Sequence, residues 1–452
     1  MWGFKTPSKV TTFLLGLVAL TGASLFDGQG EAAAQQTPQF LPDKHLGVTS
    51  CAGSTCHGSI EPWANSVVLQ NEYVTWQQKD RHSKAYDVLL SERSQRIARN
   101  LGLENAATAD VCLDCHADNI PAELRGRTFQ ISDGVGCEAC HGGSERWLGV
   151  HLTGGGHANN VQAGMYSTVD PVKRAKLCLG CHFGDSKKFV THRIMGAGHP
   201  RMPFELDTFT WSQPAHFRID DDYAKRKQVT NGVQTWAIGQ ALAMQNILTL
   251  LTDPKRSHDG IFPELVFFDC HACHHPMSNL RWQPRASTGL GPGVVRLNDA
   301  NLVMLRVIAG HVAPELGDML QDQTRALHQA STDGIDATGA AVAALQDTLS
   351  QLIEKFASHS FGGDDMKALL KGVIDEGLRG EYVDYAAAEQ ATMAIGSILD
   401  AMQKAGLIDQ ATFDAMGAKL DEAYASVEKD EAYKPATYVA ALQALKESAS
   451  GL

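Results

Sequence analysis

Past Pro292 the chain alternates long Ala- and Leu-rich segments with short polar breaks. Apolar positions there recur at helical spacing. The pattern predicts helices near Asp299–Ala313, Glu315–Gln329, Ala337–Ala357, Asp365–Asp375, Asp384–Lys404, Asp409–Glu428 and Pro435–Ser448. Gly334, Gly362, Gly377, Gly380 and Gly406 punctuate them, and Asp384 and Asp409 are placed to act as N-caps. Short breaks favour an antiparallel bundle. Upstream, Val233 to Leu251 predicts an amphipathic helix stopped by Asp253-Pro254, and Asp170 to Lys176 predicts one with Pro171 at its first position. His82, Tyr86, Leu89 and Leu90 share helical spacing, and Ser91–Leu101 continues as helix to Gly102. Gln35–Leu46 reads as a linker. Gly142–Asn160 and His192–Pro203, rich in Gly and His, read as loop wrapped over a ligand. The expected fold is mainly α, with a loop-rich domain over 35–298 and an acidic α-helical domain over 299–452.

The first residues read differently. Lys5 and Lys9 precede an apolar run from Thr11 to Phe26, which is too short for a membrane span. Ala32-Ala33-Ala34 then offers small residues for cleavage, so residues 1–34 read as a secretory signal peptide. No other apolar run is long enough to cross a bilayer. The mature chain is therefore expected to lack a transmembrane span and to be periplasmic or extracellular. Charge adds one point. Residues 301–452 hold 11 Lys+Arg against 23 Asp+Glu, whereas residues 1–300 hold 28 of each. The acidic tail argues against nucleic acid and anionic membrane surfaces as partners, and it leaves room for a basic redox partner.

The ten cysteines carry the chemistry. Cys112-Leu-Asp-Cys115-His116, Cys137-Glu-Ala-Cys140-His141, Cys178-Leu-Gly-Cys181-His182 and Cys270-His-Ala-Cys273-His274 are C-x-x-C-H units, the attachment pattern of c-type haem. A fifth unit is stretched, Cys51-Ala-Gly-Ser-Thr-Cys56-His57, or C-x-x-x-x-C-H. Two thiols can add to the two vinyl groups on one porphyrin edge, and the next residue lies beneath the ring, where an imidazole meets the iron. Disulfides make no demand on the residue after each pair. Structural zinc would join pairs of C-x-x-C and leave one over. Five covalently attached haem c groups are expected, with His57, His116, His141, His182 and His274 as proximal ligands.

A second axial imidazole closes an iron to substrate and leaves it an electron carrier, while an open position permits catalysis. Thirteen further histidines could supply distal ligands. His82 stands between two motifs in an aromatic-flanked segment. His151 follows His141 in a Gly-rich stretch. His199, between Gly198 and Pro200, and His192 follow the fourth motif, and His216 lies in Gln-Pro-Ala-His. These five are the candidate distal ligands. His311, His328 and His359 on the helical tail are expected at the surface.

Asp80-Arg-His82-Ser-Lys-Ala, Cys112-Leu-Asp-Cys115-His116-Ala and Gly134-Val-Gly-Cys137-Glu-Ala-Cys140-His141-Gly resemble the multihaem cytochrome c-554 family, whose namesake is the tetrahaem electron acceptor of hydroxylamine oxidoreductase. The resemblance covers about Val48 to Pro276. It implies a helical, loop-rich fold around closely stacked porphyrins with mainly bis-histidine ligation, and it supports His82 and His151 as distal ligands. The five sites, the long first motif and the acidic extension depart from that pattern. The domains are then a pentahaem cytochrome c domain and a helical bundle.

The leading expectation is an exported electron-transfer cytochrome, acting between redox protein partners rather than as an enzyme. The alternative is a multihaem oxidoreductase with one open haem, acting on small nitrogen or sulfur compounds. No C-x-x-C-K motif is present, and Tyr73, Tyr86, Tyr166 and Tyr223 are the tyrosines available for a cross-link. A third role, self-association into a homo-oligomer or docking to a membrane complex, would fall to the helical domain, whose bland alternative is a stabilising cap.

Overall fold

The apolar segments form helices. The structure, a computed structural model, describes residues 37–275 and 285–451, so the signal-peptide expectation for residues 1–34 lies outside the described residues. Among those residues the only β pairing is two isolated bridges, His45 with Arg125 and Phe268 with Leu297. Helices of the first half are short: α1 Glu72–Lys79, α2 Ala85–Leu89, α3 Glu92–Asn100, α4 Asp110–His116, α5 Cys137–His141, α6 Trp147–Leu152, α7 Gly156–Gln162, α8 Pro171–His182, α9 His192–Gly196, α10 Leu206–Ser212 and α11 Asp221–Arg226. Longer ones follow: α12 Gly232–Thr252, α13 Ala300–Val312, α14 Pro314–Asp333, α15 Ile335–Ser358, α16 Gly363–Leu378, α17 Tyr385–Lys404, α18 Gln410–Ser426 and α19 Pro435–Ser448. The fold is mainly α, as the periodicity predicts. Asp384 and Asp409 cap α17 and α18 by accepting from the Ala387 and Thr412 amides, both at 2.8 Å.

Helix α12 is the axis of the main core. It packs against α8, α13, α15 and α17. The expected amphipathic stripe is corrected here: Val233 to Met244 are buried without interruption, because neighbours cover α12 on all sides. Polar groups inside this core are paired. Asn301 donates to Gln240 at 2.7 Å, Gln240 to Gln390 at 2.8 Å, and Gln390 to the Phe204 carbonyl at 3.0 Å. The relay joins α13, α12 and α17 and fixes their register, since any slip would strand a buried amide.

Three other expectations are corrected. Gly142–Asn160 is not all loop: it contains α6 and most of α7. The buried Trp147 indole donates to the Gly142 carbonyl at 3.3 Å and anchors α6, while Gly154 and Gly156, at φ +77° and +72°, confine the break to a short turn. His192–Pro203 contains α9, whose N-terminus is capped by Thr191, its hydroxyl accepting from the Ile194 amide at 3.3 Å. His328 is fully buried rather than at the surface. Its Nδ1 bonds the Thr324 carbonyl at 2.8 Å within α14, which turns the ring inward towards Asp299. His311 and His359 both contact Asp365, at 2.8 and 3.1 Å.

Arg285 enters the bundle as a buried cation. It reaches Asp299 at 2.6 Å, Asp384 at 3.0 Å and Glu381 at 3.2 Å. Burial pushes the Asp299 carboxyl up, but the Arg285 guanidinium outweighs it and holds the group well below the usual carboxylate range. Glu381 is held low in the same way. Removing one member of such a network leaves unpaired buried charge. Arg285→Met should cost about 3–5 kcal/mol in chemical denaturation at pH 7, whereas breaking the exposed Lys404–Asp400 pair should cost below about 1 kcal/mol. The two depressed carboxyls contribute stability above about pH 4, lost as pH falls below it. The acid-induced loss should therefore be shallower in Arg285→Met.

Candidate haem-binding site

Each Cys-His unit is built by a distinct local device. The second unit occupies α4, the third α5, and the fourth the last turn of α8, which Asp170 starts by accepting from the Val172 and Lys173 amides at 2.9 and 3.0 Å. A helical turn brings the two thiols of a C-x-x-C pair to one side with the histidine just beyond. The first unit is a tight loop closed by the His57 amide on the Cys51 carbonyl at 3.1 Å, so its two extra residues are absorbed without a helix. The fifth unit sits on a short 3-10 turn over Cys270–Ala272, capped by Asp269, whose Oδ1 accepts from the His271 amide at 3.1 Å. All ten cysteines are free of disulfides.

The first four units converge on one cavity of about 2730 Å³. Drug-sized ligands occupy roughly 300–1,000 Å³, so this space is built for more than one guest of that size. Its walls carry Cys51, Cys56 and His57, then Cys112, Cys115 and His116, then Cys137, Cys140 and His141, then Cys178, Cys181 and His182. Four of the five expected distal histidines, His82, His151, His199 and His216, line it as well. The Cys51 and Cys137 thiols meet, as do those of Cys115 and Cys181. Phe361, Met366, Ala401 and Leu407 of the helical tail complete the walls. Cys270, Cys273, His274 and His192 are absent from those walls. They form a separate group, with Cys270 near Arg201 and Asp430, which line a second, open recess of about 790 Å³.

The histidines stand in pairs. Ring centroids of His57 and His151 are 6.0 Å apart and nearly parallel, at 20°. Those of His82 and His182 are 5.8 Å apart at 86°, and those of His192 and His274 are 6.0 Å apart at 38°. His199 acts electrostatically on His116, and His216, His57 and His151 all act on His141. Outer ring nitrogens are engaged in most of these. His57 Nδ1 bonds Glu72 at 2.8 Å, His82 Nδ1 bonds Asp80 at 2.8 Å, His116 Nδ1 donates to the Ala85 carbonyl at 3.0 Å and His199 Nδ1 to the Pro200 carbonyl at 2.8 Å. In the neutral ring, donation from Nδ1 leaves Nε2 without a proton and able to act as a donor to a metal. His141 Nδ1 is buried with no partner.

Electrostatics favour the neutral ring at four of these histidines. Burial pushes His141 and His182 down to about 4, and it lowers His116 and His151 also. His57 and His82 are raised instead, by hydrogen bonds to Glu72 and Asp80. Asp80 feels opposing effects: burial pushes it up, but bonds from His216, His82 and Gln213 outweigh this and hold it far below the usual range.

The motifs alone do not reveal three residues of this site. Glu138, inside the third unit, is buried and accepts the amides of Leu46, Gly47 and Ser144 at 2.8, 2.7 and 2.8 Å. It ties the segment before the first unit to the third. Lys188 is buried, with Nζ on Gln39, on the Asp114 carbonyl at 3.0 Å and on Cys181 Sγ at 3.1 Å. Asp80 binds two distal histidines. Only Asp80 carried a signal in the sequence, its place two residues before His82.

Together the paired imidazoles, the free Nε2 atoms and a cavity walled by thiols fit covalently held haem. The class this defines is a c-type cytochrome. Residues 50–142 match the family model for cytochrome c554 and c-prime, so the chain carries a cytochrome c-554-like segment. Covalent haem c and exchange of electrons with redox partners go with that class. No curated protein and no solved structure matches the chain. Among the described residues no helix is long and apolar enough to cross a membrane.

Glu138→Ala would leave three buried amides without an acceptor. Each hydrogen bond to a charged group contributes about 1.5–3 kcal/mol, so the variant should lose roughly 3 kcal/mol or more in denaturant titration of the haem-loaded protein.

Proposed function

We propose that the chain is an exported pentahaem cytochrome that passes electrons between redox partners, with every iron held by two histidines. The observation that carries this reading is the ring spacing in the histidine pairs. An imidazole nitrogen binds a transition metal at about 2 Å, so two imidazoles on opposite faces of one metal stand with centroids roughly 6 Å apart. His57 with His151, His182 with His82 and His274 with His192 have that spacing. Proximity favours His116 with His199 and His141 with His216 for the remaining two. Cys51 and Cys56, Cys112 and Cys115, Cys137 and Cys140, Cys178 and Cys181, and Cys270 and Cys273 would form the thioethers.

Haem c supplies one-electron transfer at iron. The chain supplies the rest. Glu72 and Asp80 draw the outer N–H of His57 and His82, which makes each ring a stronger donor and favours the oxidised metal. The thiol contacts of Cys51 with Cys137 and of Cys115 with Cys181 bring the first site against the third and the second against the fourth. In this reading the first site would lie beside the third and the second beside the fourth, within the single cavity. The fifth site is the outlying terminus, since Cys273 is exposed. Tail residues Phe361, Met366, Ala401 and Leu407 support the cap role for the acidic domain over assembly. Export rests on the N-terminal pattern and on thioether assembly outside the bacterial cytoplasm.

Mass spectrometry of the natively matured chain tests the reading: five added haem masses and cleavage after Ala34 are expected, and fewer than five would overturn the count. Electron paramagnetic resonance tests the ligation. The near-perpendicular rings of His82 and His182 leave two iron d orbitals close in energy, so their haem should give a highly anisotropic low-spin signal. His82→Ala should replace that signal with a high-spin one and leave four haems low-spin. A substrate-responsive high-spin signal in the unaltered protein would favour the open-haem oxidoreductase instead.

A further inference from the structure

Asp80 is the one carboxylate in the site that serves two distal histidines. It is buried, at 4 % exposure. Its Oδ1 accepts from His82 Nδ1 at 2.8 Å and from the His82 amide at 3.0 Å. Its Oδ2 meets His216 Nε2 at 3.1 Å and accepts from Gln213 Nε2 at 3.0 Å. The two histidines belong to different irons in the pentahaem reading, on which this inference rests. His82 faces His182 of the fourth unit, and His216 neighbours His141 of the third. The rings are pinned by opposite nitrogens. His82 keeps Nε2 for a metal, whereas His216 keeps Nδ1.

We propose that Asp80 is a shared positioning residue that orients the distal ligands of the third and fourth haems and sets their reduction potentials together. A carboxylate on the outer N–H of a ligating imidazole gives the ring partial imidazolate character and stabilises the oxidised iron. One buried charge does this for both rings, in a setting where water screens it poorly. Each carboxylate oxygen also serves one ring. Any shift of the carboxylate towards His82 is a shift away from His216, so the two sites are mechanically as well as electrostatically joined. His57 has its own carboxylate in Glu72, and His116 and His199 bond only to backbone carbonyls. No such sharing links those sites.

The test is a spectroscopically resolved redox titration of haem-loaded Asp80→Asn beside the unaltered protein. The expected result is an upward shift of two midpoint potentials, one of them that of the highly anisotropic low-spin signal, with the other three unmoved and the haem count unchanged. A shift of one potential alone, or of none, would overturn the sharing. Gln213→Leu covers the case in which Asp80→Asn does not accumulate. Without the amide donor on Oδ2 the carboxylate keeps more of its negative charge for both rings, and the same two potentials should fall; movement of one or none would again overturn the proposal. Loss of haem from the unaltered chain by mass spectrometry would instead count against the pentahaem reading itself. His216→Gln separates orientation from charge: it should move the third haem to high spin while the fourth stays low-spin with a changed potential.

Discussion

The cysteine-rich half of the chain surrounds a space that its own side chains do not fill. Its separate apolar cluster is small, made of Leu89, Ala98, Ala106, Ala107, Leu113 and Ala117. The main core lies elsewhere, along α8, α12 and the tail. Protein interiors are packed like molecular crystals, so a cavity of about 2730 Å³ is a place for a guest rather than an error of packing. The covalent bond between paired thiols and a flat apolar ring is the constraint from which the rest follows. It explains why the helices of this half are short and why histidines line the walls. Three α-helical turns, a loop and a 3-10 turn suffice as mounts because the guest supplies the interior.

The tail completes the same logic from the other side. Its helices form a core without any guest, with α12 shared between it and α8. Buried ionic groups fix how these helices meet. Arg285 joins Asp299, Glu381 and Asp384, and Arg296 adds a second contact to Asp384 at 3.1 Å and one to Asp269 at 3.0 Å. Asp269 precedes Cys270, so the ion-pair network runs from the bundle directly into the fifth Cys-His unit. A buried charge pair is a poor source of net stability but a strict source of geometry, because each partner tolerates few placements. The acidity of the tail is partly a surface matter and partly this network.

Helices past Pro292 were legible to within about four residues at their ends, since period, caps and glycine breaks act locally. The Cys-His units were legible for the same reason: the chemistry requires residues adjacent in sequence. What the sequence could not convey was set by long-range packing. α12 reads as amphipathic because polar residues such as Gln234 and Gln240 interrupt its apolar run, yet those amides are buried and bonded to the Phe356 and Gln390 groups of distant helices. His328 reads as a surface residue because the tail is acidic and polar around it, while its burial follows from how α14 meets Asp299. Glu138 looked like filler between two cysteines, and its three amide partners come from segments on either side of it in the chain.

Choice among distal histidines shows where the two kinds of information meet. Setting in the sequence selects His82, His151, His192, His199 and His216, and three of them, His151, His82 and His192, stand with their rings about 6 Å from those of His57, His182 and His274. The unselected His45 shows why counting histidines is not enough. It is fully buried, with Nδ1 on Asp118 at 2.6 Å, and its backbone pairs with Arg125. That ring pins the entrance segment to the loop after the second unit. In the pentahaem reading a distal ligand needs a second imidazole at the distance one metal spans. Sequence can supply the residue type, but only the folded chain can supply that distance.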